Sequence, residues 1–239
     1  MIKKPKVEVC FTPNMFPLYA EDFEVVVVID VLRATSAICT AFHYGVDKII
    51  PVSTLDQAIE YKDKGFHVAA ERKGKIVSGF EFGNSPLAYA NDKLKDQTLV
   101  LTTTNGTKAI NMAKDTEHLL IGSFLNLDAI SNYLIDLNKS VLILGSGWEN
   151  KFCLEDSICA GAISEQLLKT NKFESNNDST IAAKYLFLSA KSNYFGYLKA
   201  SSHRKRLKKL NLNEDIKYCL TPNQTDVIPV REDYYLKKL

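Results

Sequence analysis

Five consecutive apolar residues, Val25-Val26-Val27-Val28-Ile29, run directly into Asp30. A β-branched run with no polar alternation has no face to give to water, so it reads as a strand covered on both sides. It is the longest apolar stretch in the chain, far short of the roughly 20 residues that a membrane span requires. Further strand-like runs lie at Val7 to Phe11, Lys48 to Val52, His67 to Glu71, Thr98 to Thr102, His118 to Gly122 and Val141 to Leu144. Helical patterns separate most of them. Ala34, Ala37, Ile38, Ala41 and Phe42 recur at helical spacing after the second run. Further helices are expected near Leu55 to Lys62, Thr107 to Lys114, Leu127 to Leu137 and Glu155 to Lys169. Alternation of this kind is the signature of βαβ units and predicts an α/β fold, three-layer α/β/α with a mostly parallel sheet.

At 239 residues the chain suits one domain, and about 70% of the unfolded surface would leave water on folding. The polar run Lys172 to Ser179 reads as an exposed loop or a boundary between two lobes within residues 1–239. Ile181 to Ser192 reads as an amphipathic helix and Tyr194 to Leu210 as a second, basic one. With 46% hydrophobic and 24% charged residues, disorder and fibrous repeats are excluded. Thirty Lys+Arg against 28 Asp+Glu leave a net charge of +2, which supplies no global field for a polyanion, so nucleic acid is not an expected partner. The start, Met1-Ile2-Lys3-Lys4-Pro5, has no apolar leader, and five scattered cysteines read as reduced core thiols. A cytoplasmic protein without membrane contact is expected. A homo-oligomer is left open.

Four segments combine strand ends with unusual polar chemistry. In Asp30-Val31-Leu32-Arg33-Ala34-Thr35-Ser36, Asp30 either caps the next helix and pairs with Arg33, or binds a metal while Arg33, Ser36 and the helix amides receive an anion. Glu71-Arg72 opens a loop ending in Asn84-Ser85-Pro86, where Gly74 and Gly79 suit turns and Asn84 or Ser85 can cap a helix. Thr102-Thr103-Thr104-Asn105-Gly106-Thr107 gives a strand, a tight turn and a helix, the layout of an anion cradle. In Gly145-Ser146-Gly147-Trp148-Glu149-Asn150 the third glycine of a dinucleotide fingerprint is missing. Glu155 and Asp156 follow, either as macrodipole partners or as hard oxygen ligands for Mg2+. His203 and Arg206 lie in the densest basic run, Ser201 to Lys209, which reads mainly as a solvated face with one member free to reach an anion. Trp148 either walls a pocket or packs.

The D-x-D, C-x5-R, P-loop, H-E-x-x-H and G-x-S-x-G patterns are all absent from the sequence, which sets aside the common phosphatase and kinase machineries. Taken in order, the four segments, with Glu214-Asp215-Ile216-Lys217-Tyr218-Cys219 and Val227-Ile228-Pro229, resemble the 2-phosphosulfolactate phosphatase (ComB) family over nearly the whole chain. The resemblance implies Mg2+-dependent hydrolysis of 2-phospho-3-sulfolactate to 3-sulfolactate and inorganic phosphate, a step of coenzyme M biosynthesis. Such a small phosphorylated sulfonate carries phosphate, carboxylate and sulfonate groups. Asp30, Glu71, Glu155 and Asp156 are expected around the metal, with Asp30, Arg33, Glu71 and Arg72 as the catalytic set. Ser36, Asn84, Ser85, Thr104, Asn105, Gly106, Thr107, His203 and Arg206 are expected on substrate. Two alternatives remain: a phosphatase for another small phosphorylated hydroxy acid, and a non-catalytic anion-binding protein.

Overall fold

All seven apolar runs form strands in the computed structural model, which describes residues 4–19 and 22–239. Residues 1–3, part of the start read above as lacking a leader, lie outside the described residues. The chain runs through β1 (Val7–Cys10), β2 (Val25–Ile29), α1 (Ala34–His43), β3 (Lys48–Pro51), α2 (Leu55–Asp63), β4 (His67–Arg72), β5 (Lys75–Ile76), β6 (Thr98–Thr102) and α3 (Gly106–Met112). It continues through β7 (His118–Gly122), α4 (Leu127–Leu137), β8 (Val141–Gly145), α5 (Leu154–Lys169) and α6 (Asp178–Ala190). The last elements are α7 (Tyr194–Tyr197), α8 (Ser202–Lys209), α9 (Asn213–Cys219), β9 (Pro229–Glu232) and β10 (Tyr235–Lys238). None of the helices among the described residues is long and apolar enough to cross a membrane.

The sheet order is β1-β8-β2-β7-β9-β10-β3-β6-β4-β5. Within β1-β8-β2-β7 and within β3-β6-β4 every pairing is parallel. Between the two blocks stand three successive antiparallel pairings, β7–β9, β9–β10 and β10–β3. The sheet is therefore mostly parallel but mixed, and its two parallel blocks run in opposite directions. The hairpin β9–β10 that joins them carries Arg231, Glu232, Lys237 and Lys238, a composition that conceals it from apolar-run reasoning.

Strand alternation assigns the two faces. Val25, Val27 and Ile29 pack with Val141 and Ile143 against Leu127, Ile130 and Leu134 of α4 and Ile158 and Ile163 of α5. Val26 and Val28 turn the other way, onto Ala37, Ile38 and Phe42 of α1 and Ile110 of α3. That second core also takes in Ile49, Leu99 and Leu101 of the other block, while Ile50, Val68 and Val100 cover Ala58 of α2. Helices on both faces give three layers.

The loop read at Lys172 to Ser179 is present but anchored, and one helical expectation is corrected. Residues 172–177 do not merely loop outward: Phe173 is buried in the core, and the Glu174 backbone exchanges hydrogen bonds with Pro5 and Val7. The flanking helices α5 and α6 cross so closely that a Cβ on Gly161 would lie 1.9 Å from the Ala183 carbonyl oxygen. The stretch from Tyr194 to Leu210 is no continuous helix. Asn193 caps α7, a 3-10 turn follows at Leu198–Ala200, and extended Ser201 restarts the chain as α8 by accepting from the Arg204 amide at 3.3 Å. All five cysteines are free and buried.

Candidate active site

A cavity of about 180 Å³ lies where loops from both sheet blocks meet α8. Asp30, Leu32 and Arg33 follow β2; Glu71, Lys73 and Gly74 come from the β4–β5 turn; Asn84 and Asn105 follow β5 and β6. Trp148 and Glu149 follow β8, and His203, Arg206, Leu207 and the adjoining Leu210 complete the lining. Carboxyl ends of parallel strands collect ligands in open α/β sheets. Here two oppositely directed blocks contribute such ends to one cavity.

Asp30 is nine-tenths buried and fulfils its local capping role. Its carboxylate accepts from the Ala34 amide at 3.3 Å, and its carbonyl from the Thr35 amide at 2.9 Å. Arg33 does not pair with it. The Arg33 guanidinium, which follows a cis Leu32–Arg33 peptide, donates to Asp215 at 2.5 Å and to the Gly74 carbonyl at 3.0 Å. Ser85 donates to the other Asp215 oxygen at 2.9 Å. Asp215, at the start of α9, is thus the residue that holds Arg33 against the cavity, a role the sequence hides because an acid in a helix's first turn already suits the macrodipole.

The carboxylates expected around the metal separate into two groups. Asp30 and Glu71 line the cavity. Glu71 also accepts from the Gly74 amide at 2.5 Å and from the amide and hydroxyl of Thr104 at 3.2 Å, tying the β4–β5 turn to the loop after β6. Asp156 stands behind them and accepts from the Val31 and Gly147 amides at 2.9 and 3.3 Å. Glu155 is turned away: its oxygens accept from the Cys153 thiol at 3.0 Å and Ser201 at 3.3 Å, and lie 2.7 Å from His203 Nδ1. Neither Glu155 nor Asp156 is on the cavity lining, and the Glu155 carboxylate is engaged by Cys153, Ser201 and His203.

Burial pushes the Asp30 carboxyl up to about 6, opposed by the charge of His203 and reinforced by Glu71 and Glu155. Burial, then the charges of Asp30 and Glu155, hold Asp156 well above the ordinary carboxyl range. For Glu155 burial also acts upward, but His203 and Cys153 together outweigh it and leave the carboxyl lowered.

The remaining expected residues divide. Asn84, Asn105, His203 and Arg206 line the cavity. Arg72 does not: it donates to the Glu71 carbonyl at 2.6 Å and Thr102 at 3.0 Å, bracing β4 against β6. Ser36 donates back to the Val31 carbonyl at 2.9 Å. The cradle at Asn105 is partly spent on itself, because the Thr107 amide donates to Thr103 at 3.1 Å and the Thr104 amide to Glu71. Gly106 earns its place sterically: a Cβ there would lie 2.4 Å from the Ala34 Cβ and 2.9 Å from Asp30 Oδ2. Asn105 accepts from the Glu149 amide at 3.3 Å, joining the two blocks' loops across the cavity mouth.

The Arg206 guanidinium lies 4.1 Å from the Trp148 ring centre, and its Nε and Nη2 are buried with no hydrogen-bond partner among the described residues. Trp148 also stacks obliquely on His203, ring centres 5.1 Å apart. Its pocket-wall role is therefore present. Lys73, Leu32, Leu207 and Leu210 were not singled out by the sequence, since ordinary charged or apolar residues become lining only through their position.

A family model described as 2-phosphosulpholactate phosphatase matches residues 10–234. Among curated relatives, proteins named "Probable 2-phosphosulfolactate phosphatase" match over most of both chains. The one from Caldanaerobacter subterraneus subsp. tengcongensis is 40% identical, covering 85% of this chain and 86% of the relative. Those from Thermotoga maritima and Nostoc punctiforme are 39% and 36% identical, covering 90% and 93% of this chain and 92% and 94% of the relatives. The ordered motifs, an α/β scaffold and a cavity rich in buried charge thus coincide with similarity along the chain, which belongs to the 2-phosphosulpholactate phosphatase family.

Proposed function

We propose that the protein hydrolyses the phosphate monoester of 2-phospho-3-sulfolactate, with Mg2+, to 3-sulfolactate and inorganic phosphate. The observation that carries this reading is the pairing of cavity-lining carboxylates, Asp30 and Glu71, with two guanidinium groups, Arg33 and Arg206, on the walls of one small cavity. Oxygen donors suit Mg2+, and a divalent cation would offset the burial, reinforced by neighbouring carboxylates, that raises Asp30 and Asp156. Asp30 and Glu71 would hold the ion, with Asp156 adding charge from behind. When bound, Mg2+ supplies charge stabilisation for the transferring phosphoryl group.

The protein's own groups then have distinct tasks. Arg33, fixed by Asp215 and Gly74, offers its remaining N–H donors to phosphate oxygens without searching rotamers. Asn105, held by Glu149, faces the same anion. The Nε and Nη2 of Arg206, without a partner among the described residues, are suited to the sulfonate, and the flat Trp148 ring keeps that guanidinium in place. A cavity of this size suits a small metabolite and not a polymer, in keeping with a net charge of only +2. Five buried reduced thiols fit a reducing compartment such as the cytoplasm.

Phosphate release from 2-phospho-3-sulfolactate, 2-phospholactate and 2-phosphoglycerate, with Mg2+ or with chelator, tests the reading. Chelator-sensitive release favouring the sulfonated ester is expected. Preference for an ester without sulfonate would assign a different hydroxy acid, and no release from any ester would leave an anion-binding protein.

A further inference from the structure

We propose that His203 is the proton donor to the leaving-group oxygen and that Glu155 is its positioning residue; the inference rests on the phosphatase reading above. Glu155 is 1% exposed, sits outside the cavity lining, and has its carboxylate 2.7 Å from His203 Nδ1. Cys153 and Ser201 donate to the same carboxylate, so its position is set from three sides. With Nδ1 given to Glu155, only Nε2 of the ring remains for the cavity, and among the described residues it has no protein partner. Trp148 lies against the ring and limits its rotation. A buried carboxylate fixing one imidazole nitrogen while the other faces substrate is the arrangement that proton transfer at a stated atom requires.

The same three side chains, Cys153, Glu155 and His203, bring their ligand atoms within 4.8 Å of one another, which raises a soft metal ion as a rival occupant. The 2.7 Å separation of Nδ1 and the carboxylate oxygen argues against it. Two ligands at roughly 2.0–2.1 Å from a tetrahedral zinc stand about 3.3 Å apart, whereas 2.7 Å is a charge-assisted hydrogen bond. His203 lies on α8 one turn before Arg206 and against the same Trp148 ring, beside the proposed place of the sulfonate, which departs with the alcohol. That puts it on the side of the departing alcohol.

The step balances as follows in atoms and charge. Water attacks phosphorus as the P–O bond to the organic oxygen breaks, and that bond's electron pair stays on the oxygen, which takes the Nε2 proton. One proton of the water remains on the released phosphate as its hydroxyl, and the other restores His203. The organic product leaves as a neutral alcohol instead of a high-energy alkoxide.

Kinetics on two esters with Mg2+ test the assignment: 2-phospho-3-sulfolactate, whose alkoxide needs a proton, and p-nitrophenyl phosphate, whose phenolate does not. His203→Asn is expected to lower kcat for the alkyl ester by about 10²–10⁴-fold and for the aryl ester by less than about tenfold. Glu155→Gln is expected to repeat that selectivity with a smaller loss, which a merely structural role would not produce. Should His203→Asn not fold, judged by its thermal transition, His203→Gln takes its place. Equal losses on both esters with an active wild type would overturn the proton-donor role alone. A wild type inactive on both esters would overturn the phosphatase reading and the donor role with it.

Discussion

Replacing Asp30 by Asn is expected to make the metal-free protein more stable while abolishing turnover. Burial raises the Asp30 carboxyl from its ordinary value of 3.8 to about 6, so at neutral pH the folded protein holds an ionised group that its surroundings disfavour. A shift of about two pH units corresponds to about 3 kcal/mol. The sign follows from proton binding. Between pH 3.8 and about 6 the folded state keeps a proton that the unfolded chain has released. The associated stability is complete below the lower value and lost as pH rises through the upper one. An Asn side chain keeps an oxygen for the Ala34 amide but removes the charge. For a chain of this length about 3 kcal/mol converts to an increase in Tm of about 6–12 °C. Thermal unfolding in chelator at pH 7.5 and pH 4 measures it, with the advantage of the variant falling below about 1 kcal/mol at the lower pH. Saturating Mg2+ is expected to close the gap, because only the wild type gains from the ion: about 2.7 kcal/mol at a hundredfold excess over Kd. A variant equal to or less stable than wild type in chelator at pH 7.5 would refute the picture of Asp30 as an unrelieved buried charge.

Three further outcomes are expected. Gly106→Ala forces a methyl group against Ala34 and Asp30 Oδ2, so phosphate release is expected to fall sharply with about 1–3 kcal/mol lost in urea unfolding. Asp215→Ala strips the buried Arg33 of its ion pair and is expected to cost about 3–5 kcal/mol by the same measurement, with KM for the phosphate ester raised because Arg33 is no longer held. Arg206→Gln is expected to raise KM for the sulfonated ester by at least about tenfold while changing it little for 2-phospholactate; equal effects on both esters would detach Arg206 from the sulfonate.

The fold was legible wherever burial on both faces leaves a plain chemical trace. Val25–Ile29, Thr98–Thr102 and His118–Gly122 form strands over the residues their apolar runs mark. Leu127–Leu137 forms the helix that its periodicity requires. The β9–β10 hairpin was not legible, because its charged residues contribute backbone pairing and little apolar surface. Nor was the break at Ser201 within the basic stretch, where a side-chain cap outweighed weak helical periodicity.

By itself the sequence determined which residue types arrive at the strand ends, since an apolar strand followed by polar residues must deliver them to a sheet edge. Asp30, Glu71 and Asn105 therefore reached one cavity as their positions required. Only the tertiary structure decided their partners. Whether Arg33 meets Asp30 or Asp215, and whether Glu155 faces the cavity or His203, depends on contacts between residues 182 and 48 positions apart. Hydrogen bonds are short-ranged and directional, so a group's chemistry is set by the few ångströms around it, which local sequence does not encode.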